Sequence, residues 1–138
     1  MNKRERGITL IELMVVMVII ALFATIVGAR LFRNVAKAYR GAAADQMHEF
    51  EAQLDLFRLD VGRYPTTEEG LQALWEKPGT LQGWDGPYPK KPIPLDPWKH
   101  AYIYRFPGQH SNDYDLLSYG ADGQEGGDGD NADIVNWK

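Results

Sequence analysis

The stretch from Ile8 to Ala29 most constrains what this chain can fold into, because its 22 residues contain a single ionisable side chain, Glu12. A helix rises about 1.5 Å per residue, so this stretch would reach roughly 33 Å, enough to cross a hydrocarbon core of about 30 Å. We therefore predict a membrane-spanning helix over residues 8–29.

Residues 1–7, MNKRERG, set the orientation of that helix. They contain three basic side chains against Glu5, and basic residues favour the cytoplasmic side of a membrane. A secretory signal peptide would have a shorter apolar core, followed at once by small residues around its cleavage site. We therefore expect a single-pass inner-membrane protein, with a cytoplasmic amino terminus and a periplasmic region from Arg30 onwards.

The periplasmic region has about 109 residues, enough for one small domain. Its 17 Asp and Glu residues outnumber its 12 Lys and Arg residues, which argues against a nucleic-acid partner because phosphate binding requires a basic face. The chain has no cysteine. A small exported domain without disulfides needs another form of stabilisation.

Residues 31–61 contain no proline, and their apolar side chains recur at steps of three and four. This spacing predicts an amphipathic helix that ends near Gly62 and continues the membrane helix outwards. Gly28 leaves two arrangements open, one continuous rod or two helices hinged there, because glycine costs about 1 kcal/mol relative to alanine inside a helix. The predicted apolar face comprises Phe32, Val35, Tyr39, Ala43, Met47, Phe50, Leu54, Phe57 and Val61.

The next segment contains a helix start signal and then a proline-rich loop. Thr66 with Glu69 fits a capping box, which predicts a short helix from about Thr67 to Trp75. Residues 77–97 hold six of the eight prolines, so we expect a loop that crosses the surface. Trp84 and Tyr88 either dock this loop or contact neighbouring subunits.

Two short runs rich in aromatic and apolar residues, 101–106 and 114–118, predict two strands joined by a turn. Residues 134–137 are a possible third strand. A small antiparallel sheet of this kind would pack across the outer half of the long helix. The pattern therefore predicts an α+β domain.

Residues 119–133, YGADGQEGGDGDNAD, form what we call the acidic loop; it contains five glycines, five acidic residues and no lysine or arginine. Such a loop repels itself unless a hard cation neutralises it, and calcium takes six to eight oxygens from carboxylates and carbonyls. The EF-hand pattern fails, because Ala132 and Asp133 stand where an oxygen ligand and a glycine belong. Composition leaves two interpretations open, a metal site or a solvated acidic turn.

No catalytic pattern accompanies this loop in the sequence. His48, His100 and His110 lie in unrelated contexts, and the chain contains no H-E-x-x-H, G-x-S-x-G or phosphate-loop motif. We predict that the protein is not an enzyme.

The basic leader that ends at Gly7, followed by ITLIE, resembles the signature of the type IV prepilin family. The resemblance implies that a prepilin peptidase cleaves between Gly7 and Ile8 and methylates the amino group of Ile8. It also implies that Glu12, at the fifth mature position, pairs with the free amino terminus of a neighbouring subunit. The alternative is a carboxylate that reaches back to water from one turn inside the membrane.

The string RYPTTEEGLQAL, residues 63–74, resembles more narrowly the major pseudopilin family of type II secretion systems. The resemblance implies a pilin-like α+β fold, in which a long helix packs against a small antiparallel sheet and a carboxyl-terminal loop binds calcium. By position, the ligands are the carboxylates of Asp122 and Asp133 and the carbonyls of Tyr119 and Gln124. Either Asp128 or Asp130 supplies a further oxygen.

The same resemblance divides the chain into a leader (residues 1–7), a transmembrane helix (8–29) and a periplasmic domain (30–138). It implies a homopolymer, the pseudopilus, that exports folded proteins across the outer membrane. Its partners would be minor pseudopilins, the prepilin peptidase and the inner-membrane assembly platform. The alternatives are a type IV or competence-type pilin, and a membrane-anchored calcium-binding module that does not polymerise.

Overall fold

The structure is a computed structural model that describes residues 7–137. The predicted leader, apart from Gly7, and Lys138 lie outside the described residues. The chain divides between Ala36 and Lys37 into two compact units. Each unit is described by itself below.

One helix, α1, runs from Leu10 to Val61 and contains 52 residues. It is continuous through Gly28, so of the two predicted arrangements the single helix is confirmed. Its predicted end is also confirmed, since it stops one residue before Gly62, whose N–H still donates to the Arg58 carbonyl at 2.8 Å.

The first unit exposes the apolar part of α1. The 18-residue window of highest hydropathy in α1 has a mean hydropathy of 2.9 and none of its residues is buried. Within the described residues, α1 is the one helix long and apolar enough to cross a membrane. Its length and composition agree with the predicted span.

The second unit buries one face of α1. The buried side chains there belong to Ala43, Met47, Phe50, Leu54 and Phe57, all members of the predicted apolar face. Other predicted members differ, because the side chains of Phe32, Val35 and Tyr39 are exposed. The spacing therefore identified the correct face, while burial begins only at Ala43.

Three antiparallel strands form the sheet, in the order β1-β2-β3: β1 is Ile103–Arg105, β2 is Asp115–Ser118 and β3 is Ile134–Val135. The three predicted strands are confirmed, each shorter than expected. Tyr104 pairs with Leu116 across β1 and β2. The ring of Tyr102, one residue before β1, meets Phe50 of α1 edge-on at 5.2 Å. Aromatic side chains therefore join the sheet region to the helix.

The predicted capping box forms. The Thr66 N–H donates to Glu69 Oε2 at 2.8 Å, and the Glu69 N–H donates to Thr66 Oγ1 at 3.2 Å. The predicted helix from Thr67 to Trp75 is wrong, however, because a turn follows and then a 3-10 helix from Leu71 to Leu74. Gly70 has φ +58°, outside the right-handed helical region, so the backbone leaves a helical path there.

Two side chains dock the proline-rich loop. Trp84 donates its indole N–H to the Ala73 carbonyl at 2.8 Å, and the Tyr88 hydroxyl donates to Asp60 of α1 at 2.9 Å. Both rings also pack against the core. Of the two predicted roles for these residues, docking is confirmed.

The Thr67 hydroxyl joins the turn after α1 to the end of β1. It accepts a hydrogen bond from the Phe106 N–H at 2.9 Å and donates one to the Phe106 carbonyl at 3.0 Å. One side chain therefore satisfies both backbone groups of the residue that follows β1.

Asp115 in β2 is a fully buried carboxylate that organises the β1–β2 turn. It accepts hydrogen bonds from the backbone N–H groups of Gln109, His110 and Ser111, and His110 Nδ1 lies 2.9 Å from its Oδ2. The His110 ring stacks on Trp137 with centroids 4.3 Å apart. Burial raises the pKa of Asp115, but these hydrogen bonds outweigh it and hold the pKa below its ordinary value.

We expect Phe50→Ala to lower the free energy of unfolding by about 3 to 5 kcal/mol, because it leaves a cavity beneath the sheet. Urea unfolding of the full chain in mild detergent, followed by near-UV circular dichroism, measures the change. Leu59→Ala is the control on the same helix, since Leu59 is 79% exposed and a surface change costs within about 0.5 kcal/mol. Equal losses in the two variants would contradict this core assignment.

We expect Asp115 to make the free energy of unfolding of the domain fall at acidic pH. Because its folded pKa is lowered, its stabilisation is present above the unfolded pKa of about 3.9 and is lost as pH falls through the folded pKa. Asp115→Asn should cost about 1 to 3 kcal/mol at pH 7 and flatten the loss of stability below pH 4. Urea unfolding at several pH values tests this. The exposed Asp113→Asn should change neither quantity, and an unaltered acid slope in Asp115→Asn would overturn the assignment.

Candidate functional site

Glu12 lies in the first turn of α1. Thr9 begins that turn, because its Oγ1 accepts from the Glu12 N–H at 3.3 Å and its carbonyl accepts from the Leu13 N–H at 3.2 Å. A carboxylate is favoured at this end of a helix, where unpaired N–H groups give a partial positive charge. The Glu12 side chain itself is exposed.

The predicted cleavage position precedes the helix. Gly7, Ile8 and Thr9 are exposed and carry no regular secondary structure. The peptide bond between Gly7 and Ile8 therefore lies in non-helical chain, where a peptidase can reach it.

Two short 3-10 helices shape the acidic loop, Gly120–Asp122 and Gly129–Asn131, and they contact each other. Asp122 closes the first, and its Oδ1 accepts from the Gln124 N–H at 3.1 Å. Asp128 precedes the second and Asp130 lies within it. The loop is thus folded locally by its own backbone.

Asp133 closes the acidic loop. Its Oδ2 accepts from the Gly126 N–H at 2.9 Å, and its own N–H donates to the Gly126 carbonyl at 3.2 Å. Its other carboxylate oxygen, Oδ1, is buried and has no hydrogen-bond partner among residues 7–137. Leaving a buried carboxylate oxygen unpaired costs free energy, so this atom is suited to receive a cation.

Backbone carbonyls gather beside Asp133. Gly120 has φ +69°, and a Cβ on it would lie 2.9 to 3.1 Å from the carbonyl oxygens of residues 130, 131 and 132. Only glycine permits this approach. The carbonyl oxygens next to Asp133 therefore face the first 3-10 helix of the loop.

Within residues 7–137, the structure does not gather the predicted carboxylate ligands into one cluster. The side chains of Asp122, Asp128 and Asp130 are exposed, and Tyr119 and Gln124, whose backbone carbonyls are the predicted ligands, lie on either side of the first 3-10 helix. Among residues 7–137, no three carboxylate or imidazole side chains lie close enough together to hold a metal ion. The donors present, carboxylates and carbonyls, are nevertheless those that calcium takes.

Three residues, none of them predicted to contact the acidic loop, brace it. Arg40 of α1 donates from Nη1 to the Ala132 carbonyl at 2.6 Å. The buried Asp96 accepts a hydrogen bond from the Ser118 hydroxyl at 2.7 Å. The oxygen of this hydroxyl in turn accepts one from the Gly120 N–H at 3.2 Å. No local pattern predicts these braces, because the Arg40 and Asp96 contacts join residues 92 and 22 positions apart.

His100 is the third brace. Its Nδ1 lies 3.3 Å from the Gly120 carbonyl oxygen, and its ring lies so close to Gly123 that a Cβ there would be 3.0 Å away. His100 therefore packs against the loop, a role that its sequence context does not indicate.

Comparison with known proteins covers nearly the whole chain. Residues 30–137 match the model of the family described as type II secretion system (T2SS), protein G. Residues 2–28 match the prokaryotic N-terminal methylation motif.

Individual relatives agree with the family match. The chain is 41% identical to type II secretion system core protein G of Vibrio cholerae serotype O1, covering 98% of this chain and 93% of that protein. It is 40% identical to the protein of the same name from Pseudomonas aeruginosa, covering 99% and 97%. The crystal structure of the major pseudopilin from the type 2 secretion system of enterohaemorrhagic Escherichia coli superposes with a TM-score of 0.63 at 39% identity, covering 78% of this chain and 93% of that one. The chain therefore belongs to the protein G family of the type II secretion system, the family of its major pseudopilins.

Proposed function

We propose that the mature chain is the repeating subunit of a filament that grows from the inner membrane into the periplasm and moves folded proteins towards the outer membrane. The observation that carries this is the apolar surface of the first unit, where the large hydrophobic side chains from Ile8 to Val27 are 46 to 78% exposed. A surface of this kind needs a covering. Lipid covers it before assembly, and neighbouring copies cover it in the filament.

Processing prepares the subunit for assembly. Removal of residues 1–7 makes Ile8 the new amino terminus, four positions before Glu12. The match of residues 2–28 to a methylation motif supports this processing and the methylation of Ile8. A lone carboxylate in hydrocarbon is costly, and the charged amino group of a neighbouring subunit neutralises it.

The chain's partners follow from this role. Besides further copies of itself, they are a prepilin peptidase, minor pseudopilins and the inner-membrane assembly platform. The amino terminus is cytoplasmic and the domain from Arg30 onwards is periplasmic, as the basic leader indicates. The role is structural, with no reaction of its own.

Two other hypotheses compete with this one, a type IV or competence-type pilin and a membrane-anchored module that does not polymerise. The match of residues 30–137 to protein G favours the pseudopilin over a type IV or competence-type pilin. The hypothesis of a membrane-anchored module that does not polymerise is separated from ours by the assembly experiment below.

The acidic loop binds calcium in this proposal. Asp122 and Asp133, the carbonyls of Tyr119 and Gln124, and either Asp128 or Asp130 would hold the ion. The unpaired buried Oδ1 of Asp133 and the five acidic residues without a basic one in the loop support the assignment. Calcium would neutralise the loop and add its binding free energy to folding, in a chain that has no cysteine for a disulfide.

We expect Glu12→Gln to prevent assembly while leaving cleavage after Gly7 intact. The amide keeps the shape of the side chain and removes its charge, and breaking a buried ion pair costs about 3 to 5 kcal/mol. Subunit association should therefore fall roughly 100-fold or more. Cross-linking of subunits in membranes, together with the export of folded enzymes, measures the effect.

The control for Glu12 is Glu68→Gln, an exposed carboxylate outside α1. This variant should give the same cross-linked ladder and the same export as the wild type. Normal ladders and normal export in Glu12→Gln would refute the ion pair. A wild-type chain that stays monomeric while export runs normally would favour the non-polymerising module.

Chelation of calcium should lower the melting temperature of the full mature chain in detergent. At 100-fold excess over Kd, a bound ligand contributes about 2.7 kcal/mol. For a domain of about 100 residues this corresponds to a shift of roughly 10 °C or more. Circular dichroism with excess calcium, and then with chelator, gives the two melting temperatures.

Asp133→Asn should abolish the response to calcium, whereas the exposed Asp113→Asn should retain it. Magnesium should not substitute for calcium, because it demands a smaller octahedral site. An unchanged melting temperature, after metal analysis has verified that calcium is removed, would refute the calcium site.

A further inference from the structure

Arg40 connects the outer part of α1 to the far end of the acidic loop. Its guanidinium Nη1 donates to the Ala132 carbonyl oxygen at 2.6 Å, in a partly buried contact between residues 92 positions apart. Within residues 7–137, this is the one hydrogen bond that joins α1 to residues 119–133. A hydrogen bond from a charged donor is about twice as strong as a neutral one.

The position of this contact gives it an effect on the next residue. Ala132 immediately precedes Asp133, whose buried Oδ1 has no hydrogen-bond partner in the part of the chain that the structure describes. Backbone hydrogen bonds also hold this segment, residues 130–133, from within the loop. The Ala132 N–H donates to the Gly129 carbonyl, and the Asp133 N–H donates to the Gly126 carbonyl. These bonds lie within the loop and move with it, whereas Arg40 anchors the segment to a 52-residue helix.

We propose that Arg40 is a positioning residue that holds the segment 130–133 in place, so that Asp133 presents its carboxylate to the cation. The inference rests on the calcium site proposed above. Arg40 does not bind the ion, since it is a cation itself and its contact is with a carbonyl. It lowers the ordering cost of binding by fixing the loop beforehand.

The charge of Arg40 and its positioning role have opposite effects on calcium affinity, so a change in Kd can distinguish them. Loss of a nearby positive charge alone should strengthen calcium binding, because one cation no longer repels another. Loss of the anchor should weaken it, and loss of an outer-shell partner typically weakens metal binding 10-fold to 100-fold. The sign of the change in Kd therefore identifies which effect dominates.

The test compares three variants of the full mature chain in detergent by calcium titration calorimetry. We expect Arg40→Met to raise the Kd roughly 10-fold, and Arg40→Lys, which keeps the charge and one donor, to raise it less. Lys37→Met is the matched control, because it removes a charge from an exposed position three residues earlier on α1. It should leave the Kd within about twofold of the wild type, or lower it.

A second measurement needs no metal. Hydrogen exchange without calcium should be faster in Arg40→Met at the amides of Asn131, Ala132 and Asp133, which are protected by bonds within the loop, and unchanged in Lys37→Met. Unchanged exchange in Arg40→Met overturns the inference, as does a Kd that stays within twofold of the wild type or falls. Absence of calcium binding by the wild type refutes the proposed calcium site, and the exchange rates then decide separately whether Arg40 anchors the loop.

Discussion

The burial of Phe50, Leu54 and Phe57 of α1 against the sheet region is the interaction on which the second unit depends. The strands are only three, four and two residues long, and a sheet of this size is not stable alone in water. It must pack on another element, and α1 provides the apolar face. The helix whose earlier turns carry the apolar membrane segment is thus also the base of the folded domain's core.

Two buried carboxylates, Asp115 and Asp96, each accept several hydrogen bonds in the second unit. Asp115 receives the backbone N–H groups of the β1–β2 turn, and Asp96 receives the N–H groups of Trp98 and His100 together with the Ser118 hydroxyl. Asp115 orders a turn four to six residues away, whereas Asp96 also joins its own turn to Ser118, 22 residues away. Both carboxylates stabilise turns through charge-assisted hydrogen bonds, and the lowered pKa of Asp115 makes the domain sensitive to acid.

The sequence predicted those features whose physical cause is local. Apolar spacing placed the end of α1 at Val61, and the density of glycine and acid located the loop that carries the candidate site. The short helix after the capping box was mistaken because the backbone angle of Gly70 is not visible in a residue pattern. The braces from Arg40 and Asp96 were not predictable, since each depends on how distant segments dock once the core has formed.

The double hydrogen bond between Thr67 and Phe106 bears on how copies of this chain can associate. β1 is an edge strand, and an unpaired edge invites another chain to add a strand, which is a route to aggregation. Thr67 occupies both backbone groups of Phe106, the residue after the end of β1, and the opposite edge strand, β3, has only two residues. Templating of one sheet by another is therefore discouraged at both edges of this sheet.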